Sequence, residues 1–300
     1  MAKTRYGTDH GLNFRMFFVG LLLVLLYAIV VGILFAINVP IVLAVVIALA
    51  ILGVQYFASA KIALFSMHAR VVTPEDAPQL HGLVDRLCAL ADMPKPEVAI
   101  ADTDIPNAFA TGRSPKHAVV CVTTGILRRL DEPEMEAVLS HELSHIAHRD
   151  VAVMTVASFL GMVAGLLTRL AFYADIFGGD ENGNTAAIEM AVMLVSAIIY
   201  AISFLLIRAL SRYRELLADR SGAILIGRPS LLKSALLKIT GSMAQIPTKD
   251  IRAASHFNAF FFAPAFSKDS FDLSNLFSTH PPIEKRIAAL DALEAKMQGH

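Results

Sequence analysis

The residues best suited to chemistry are two histidines and a glutamate in "SHELSH". His141 and His145 lie four residues apart, so on a helix they share one face and stand about 6 Å apart along its axis. Two imidazoles at this spacing can bind one metal ion. Glu142, rotated about 100° from His141, is too short to add a ligand from the same turn but can hold a water on that metal. The pattern predicts one Zn²⁺ per chain that activates water for peptide hydrolysis, with Glu142 as general base.

A catalytic zinc site also needs a third protein ligand and an open coordination position. His145 lies six residues before an apolar segment, and Glu215 in "SRYRELLAD" lies eight residues after the next one. An antiparallel pair of helices would therefore bring Glu215 level with the histidines. Asp219, one turn further on, is predicted to accept a hydrogen bond from the second nitrogen of a ligating histidine.

Two alternatives to this ligand set stay open. Glu215 could instead form a salt bridge with Arg212 or Arg214. His148 is a rival third ligand, although one straight helix cannot easily wrap three imidazoles around one ion. We therefore expect His148 to lie at the surface or behind the ligands.

Four apolar stretches must position these side chains, at residues 16–37, 39–60, 151–168 and 190–207. Each has about the length that a helix needs to cross a bilayer, although the last two are near the lower limit. Competing interpretations are a cleavable signal peptide for the first stretch and buried core helices for the last two. The sequence favours four transmembrane helices, paired as hairpins in 1–60 and 151–207.

The orientation follows from the basic residues near the ends of these stretches. Arginines and lysines cluster before the first span, after the second and after the fourth, whereas the opposite side carries only Arg169 against three acidic residues. The positive-inside rule then places both termini and the segments 61–150 and 208–300 in the cytoplasm, as an integral protein of the plasma (inner) membrane. These two segments can fold together as the two halves of one protease domain.

The polar segments contain signals for both helices and strands. A helix with a threonine cap is expected in 73–92, and short strands are expected at "EVAIA" and "HAVVCVTTG", with "NAFATGRS" as a further strand or a loop. Asp131 and Glu134 form a capping-box signature at the start of the "SHELSH" helix. The fold class predicted is a mainly α integral membrane protein with a cytoplasmic α+β, zincin-like domain containing a small sheet.

The composition excludes several other classes of protein. Hydrophobic residues make up 55% of the chain and charged residues 17%, which is typical of a membrane protein. Acidic and basic residues balance at 26 each, so nucleic-acid binding is not expected. The two cysteines, Cys88 and Cys121, lie in no disulfide or metal spacing and are expected to be buried thiols.

Four ordered motifs, "SHELSHIAHRD", "SRYRELLAD", "NAFATG" and "STHPPIEKRI", resemble the HtpX-type membrane zinc metalloproteases, relatives of the CAAX prenyl protease. The resemblance implies that His141, His145 and Glu215 bind zinc and that Glu142 is the base. It also implies endopeptidase activity toward misfolded or damaged membrane proteins, as a quality-control role. Leu216 departs from the family, which usually has an aromatic residue after the glutamate ligand.

The same resemblance assigns two further residues to the cleft. Asn107 matches a position on the strand that lines it, and His280 matches one near the substrate carbonyl. By residue type alone, Asn107 is a turn residue, and His280 is a loop histidine ahead of two prolines and a helix. A strand edge beside Asn107 would bind substrate as an added strand, through main-chain hydrogen bonds.

The functional hypotheses are an integral-membrane zinc endopeptidase, a membrane adaptor or holdase with a vestigial zinc site, and a protease for prenylated peptides. The full set of ligands and base favours the first over the second, and only four spans argue against the large chamber that the third would need. Polypeptides and the lipid bilayer are the expected partners, and the sequence is compatible with a homo-oligomer. The phenylalanine-rich segment 256–277 could be core, a flap over the cleft or an interfacial element.

Overall fold

The computed structural model describes residues 41–150, 183–243 and 280–299, together with 11, 14–22, 24, 25, 28, 153 and 154. Most of the predicted spans 16–37 and 151–168, and all of segment 256–277, lie outside the described residues. The described elements in chain order are α1 (Ile41–Ser66), β1 (Ala69–Val71), α2 (Pro78–Ala91), β2 (Glu97–Ala101), β3 (Ala108–Ser114), β4 (His117–Thr123), α3 (Thr124–Leu127), α4 (Glu132–Ala147), α5 (Gly183–Ile226), α6 (Pro229–Met243) and α7 (Ile283–Met297).

Two helices extend well beyond the predicted spans 39–60 and 190–207. Helix α1 continues to Ser66, and α5 runs for 44 residues without interruption. Among the described residues, no helix has the combination of length and apolar composition that crossing a bilayer requires, so the count of four spans is not confirmed.

The four strands form one sheet in the order β1-β2-β4-β3. β2 and β4 are parallel neighbours at its centre, whereas β1 and β3 are antiparallel edge strands. The strand predicted at "EVAIA" is confirmed as β2, and the one predicted at "HAVVCVTTG" is β4, which ends at Thr123 because α3 begins at Thr124. The "NAFATGRS" segment contains strand β3. The three-residue β1 carries no alternating apolar pattern, and the sequence did not predict it.

The sheet is buried on both faces because its side chains alternate between two helical layers. Val120 and Val122 of β4 pack in the main core with α2 and α4. Val119 and Cys121 point the other way, into a smaller cluster with Ala63 of α1. The apolar run of β4 thus follows from its central position in the sheet.

Of the two helix starts predicted from the sequence, one is confirmed and the other is wrong. Asp131 caps α4 and exchanges hydrogen bonds with Glu134, which confirms the capping box. The threonine cap expected for α2 is wrong, because Thr73 and Asp76 bond to each other in a separate turn and the helix begins at Pro78. Proline suits the first helical position because it lacks the N–H that would be left without a partner there.

Helices α4 and α5 come into unusually close contact beside the first histidine. The Ser140 hydroxyl donates to the carbonyl of Gly222 at 3.0 Å. A Cβ atom on Gly222 would lie 2.8 Å from the backbone nitrogen of His141. Only a glycine at position 222 therefore allows α4 and α5 to approach this closely.

Substituting Gly222→Ala should lower the free energy of unfolding by about 1–3 kcal/mol, because the new methyl group forces the helices apart. The matched control is Gly82→Ala in α2, where an added Cβ meets nothing within 4 Å and should stabilise the helix by about 0.5–1 kcal/mol. Chemical unfolding of the detergent-solubilised chains measures both. Equal stability of the two variants would contradict the close packing.

Candidate metal centre and active site

The structure brings three potential metal ligands to one point between α4 and α5. The Nε2 atoms of His141 and His145 lie 3.1 Å apart. Glu215 on α5 places one carboxylate oxygen 3.8 Å from His141 Nε2 and the other 3.5 Å from His145 Nε2. One ligand atom from each residue lies within 4.8 Å of the others, so a single ion can contact all three.

Carboxylates lie behind both histidines. The Nδ1 atom of His141 is 3.0 Å from Asp219 Oδ1, and Nδ1 of His145 is 2.6 Å from Asp150 Oδ2. These contacts favour the tautomers that direct both Nε2 lone pairs toward the common point. Arg214 pairs with the other carboxylate oxygen of Asp150, Oδ1.

Both imidazoles are in the protonation state that a metal ligand requires. Burial lowers the pKa of His141 to about 4 and that of His145 to about 4, so each ring is neutral at pH 7. Glu215, in contrast to the neutral histidines, is ionised. Burial alone would raise its pKa, but the contact with the His280 ring and the positive charge of Arg286 hold it well below the ordinary value. Two neutral nitrogen donors and one ionised carboxylate are a donor set that suits catalytic zinc.

Glu142 lies beside this cluster but is not part of it. Its side chain is buried, and burial together with the negative charge of Glu215 raises its pKa well above the ordinary value. The main chain of Ala110, on edge strand β3, hydrogen-bonds to its carboxylate. A carboxylate with a raised pKa is suited to accept a proton near neutral pH.

The C-terminal part of the chain adds two residues to the site, one on the loop before α7 and one in the first turn of that helix. The Nδ1 atom of His280 is 2.9 Å from Glu215 Oε2, so this loop histidine reaches the cluster. Arg286 is fully buried and binds the Asp219 carboxylate with two nitrogens.

Two other candidates are not among the three residues of this cluster. His148 ends α4, and its Nδ1 is 2.8 Å from the carbonyl oxygen of Ser144 on its own helix. Asn107 is fully buried, and its main chain exchanges hydrogen bonds with Thr123 of β4. The asparagine therefore fixes the start of β3 against β4.

The sequence reasoning missed three charged residues, Asp150, Arg214 and Arg286. Arg214 was considered only as a partner for Glu215, but it pairs with Asp150. Asp150 and Arg286 lie inside the quoted motifs "SHELSHIAHRD" and "STHPPIEKRI", so the signal was present. Nothing in the local pattern shows which partner each charge meets across the fold.

The family is decided by comparison with known sequences. The sequence profile of peptidase family M48 matches residues 74–294, which include every residue of the candidate site. The chain belongs to peptidase family M48. It is therefore a metalloprotease, and the resemblance drawn from its motifs is confirmed.

Several relatives match almost the whole chain. It is 56% identical over 295 residues to "Protease HtpX homolog 1" of Streptomyces coelicolor, covering 98% of this chain and 97% of the relative. It is 49% identical to "Protease HtpX homolog" of Moorella thermoacetica, covering 99% of each. Among solved structures, S. mikatae Ste24p aligns with a TM-score of 0.55 at 20% identity, over 94% of this chain and 67% of that protein. This last likeness shows a shared fold.

The histidines should make the metal-free M48 protein less stable as the pH falls from about 6.5 toward 4. Folded His141 and His145 stay neutral down to about pH 4, whereas unfolded histidines take up protons near pH 6.5. The unfolded chain then binds more protons in this range, and the loss reaches a few kcal/mol. Thermal unfolding of the chelator-treated chain at several pH values measures this loss of stability.

Glu142 changes the stability in the opposite direction. Because its pKa is raised in the folded state, the folded chain takes up this proton first as the pH falls, which favours folding. The comparison is therefore made between chains that carry Glu142→Gln, with and without His141→Gln and His145→Gln. The chain without the two histidines should lose less stability. An equal loss in both chains would show that the histidines are not held neutral.

Proposed function

We propose that this M48 metalloprotease holds one zinc ion between His141, His145 and Glu215 and uses Glu142 as its general base. The observation that carries the proposal is the convergence of two neutral imidazoles and one ionised carboxylate, from two helices, beside a buried glutamate. Zinc bound there would polarise the scissile carbonyl and lower the pKa of water. Glu142 then takes up a proton and delivers it to the leaving amine, while Asp219 and Asp150 keep the histidines oriented.

His280 is proposed to stabilise negative charge that develops on the substrate carbonyl. Its Nδ1 lies 2.9 Å from Glu215 Oε2, and the two prolines that follow it keep its segment out of the helix. A polar group held in place before the reaction stabilises such charge without reorganisation.

Substrate binding is proposed along edge strand β3. The main chain of Asn107 faces β4, and successive residues of a strand alternate in direction. The main-chain groups of Ala108, Ala110 and Gly112 therefore face away from β4, in agreement with the contact of Ala110 with Glu142. An extended peptide could add as a strand there, with Asn107 fixing the start of the edge.

Main-chain recognition gives affinity with little preference for particular side chains. This property supports a proposed substrate class of misfolded or damaged membrane proteins, degraded for quality control. Membrane attachment of the enzyme would bring such substrates to the site. The four apolar stretches of the sequence support attachment, as do exposed apolar side chains on α1 and α5 such as Phe57 and Leu194.

The reaction can be tested with two variants that separate chemistry from metal binding. Glu142→Gln should lower casein cleavage by about 10²–10⁴-fold while one zinc per chain is retained, because only the proton acceptor is lost. Glu215→Ala should lose zinc together with activity, because a ligand is removed. Metal analysis and a cleavage assay on the detergent-solubilised chains measure both quantities.

The matched controls are Glu132→Gln, an exposed glutamate on α4, and Arg212→Ala, near the ligand on α5. Both should keep zinc and activity. Cleavage by Glu142→Gln at the rate of the unsubstituted chain would remove the proposed base, and undiminished zinc in Glu215→Ala would overturn the ligand assignment.

The proposed topology predicts opposite labelling of two introduced cysteines in intact cells. Asp180→Cys, in the acidic loop, should react with a membrane-impermeant thiol reagent, whereas Lys116→Cys should react only after lysis. The native thiols give no background, because burial raises the pKa of Cys88 to about 11 and that of Cys121 to about 12. Reaction of Lys116→Cys in intact cells would contradict a cytoplasmic active site.

A further inference from the structure

Arg286 is the largest fully buried side chain among the described residues, and it lies next to the proposed zinc ligands. Arginine is almost never fully buried unless its charge is paired. Its Nε is 2.8 Å from Asp219 Oδ2, and its Nη2 is 2.6 Å from Asp219 Oδ1. Its Nη1 lies 3.7 Å from Glu215 Oε2. One guanidinium thus contacts two carboxylates of α5 from a different helix.

These contacts connect Arg286 to two of the three proposed ligands. Glu215 is a ligand itself, and Asp219 Oδ1 also lies 3.0 Å from Nδ1 of His141. The planar guanidinium holds both Asp219 oxygens, so it fixes the plane of the carboxylate that orients His141. A rotation of Asp219 would change the direction of the His141 Nε2 lone pair.

The charges around the site explain why a cation is needed at this position. Glu215 and Asp219 are one helical turn apart on the same face of α5, and Glu142 is buried beside them. Like charges this close repel strongly in a buried site. Arg286 contacts both Glu215 and Asp219 and opposes their repulsion. Its positive charge also contributes to the low pKa of these two carboxylates.

Helix α7 holds the guanidinium firmly in place. Leu290 and Leu293 of this helix are part of the main core, and Asp291 accepts a hydrogen bond from Lys233 of α6 at 2.7 Å. Arg286 lies in the first turn of α7, where its backbone nitrogen donates to the carbonyl of Pro282. The position of the charge is therefore set by the docking of the C-terminal helix.

We propose that Arg286 is a positioning residue for the zinc site, which makes the C-terminal helix α7 a determinant of metal affinity. The inference rests on the proposed zinc ligands His141, His145 and Glu215. Arg286 contacts neither zinc nor substrate. It acts by holding Asp219 and Glu215 in the orientation in which His141 and Glu215 can bind the ion.

The test is the zinc dissociation constant of the full chain in detergent, measured by competition with a fluorescent chelator. Arg286→Gln should weaken zinc binding by about 10–100-fold, as expected when a group behind a metal ligand is removed. Arg286→Lys should weaken it to an intermediate extent, because an ammonium keeps the charge but cannot hold both oxygens of Asp219. The matched control is Lys285→Gln, an exposed cation one residue earlier, which should not change zinc binding.

A merely structural role predicts a different result. Thermal unfolding of the metal-free chain would then show a loss of stability in the Arg286 variants, with an unchanged dissociation constant in every variant that folds. Arg286→Lys keeps the charge and is expected to fold even if Arg286→Gln does not. Zinc binding by Arg286→Lys as tight as that of the unsubstituted chain would overturn the inference.

Glu215→Ala, measured in the same assay, separates the inference from the proposed function. If zinc binding is lost in Glu215→Ala but unchanged in both Arg286 variants, the proposed ligands are correct and Arg286 is not a positioning residue. If Glu215→Ala binds zinc normally, the proposed site itself is wrong.

Discussion

The structure depends on the burial of several opposite charges where α4 crosses α5. Four carboxylates surround the two neutral imidazoles, two of them behind the histidines and two at the reaction side. Each would be costly to bury alone, since a charge removed from water needs a partner and hydrogen bonds. Arg214 pairs with Asp150 and Arg286 pairs with Asp219, and the remaining negative charge suits a divalent cation. Such a site is poorly satisfied without its metal, so metal binding and folding are expected to support each other.

This arrangement divides the long helix α5 into two parts with different surroundings. Leu194 and Ile198, toward its N-terminus, are more than half exposed, whereas Leu217 and Ala218, beside Glu215, are almost fully buried. One continuous helix therefore connects an apolar surface to the site. Because a helix is stiff, an apolar surface held in a bilayer would fix the distance of Glu215 from the membrane.

Helix α1 shows a similar division on the other side of the sheet. Its Phe57 is exposed, while Ala63 packs on the sheet against Phe109 of edge strand β3. The Tyr56 hydroxyl donates to the carbonyl of Arg113 at the end of the same strand. The strand proposed to bind substrate is thus held by α1 on one face and by α4, which carries the histidines, on the other.

The sequence by itself determined the features that depend on short-range geometry. The spacing of His141 and His145 on one helical face, the cap at Asp131 and the β-branched strands β2 and β4 all follow from residues within a few positions of one another. The motif resemblance also identified the family. The tertiary structure alone decided that Arg214 pairs with Asp150 and that Arg286 pairs with Asp219, together with the short edge strand β1. The two ion pairs join residues more than 60 positions apart, and a charged residue in a sequence does not show which opposite charge the packing of helices will bring to it.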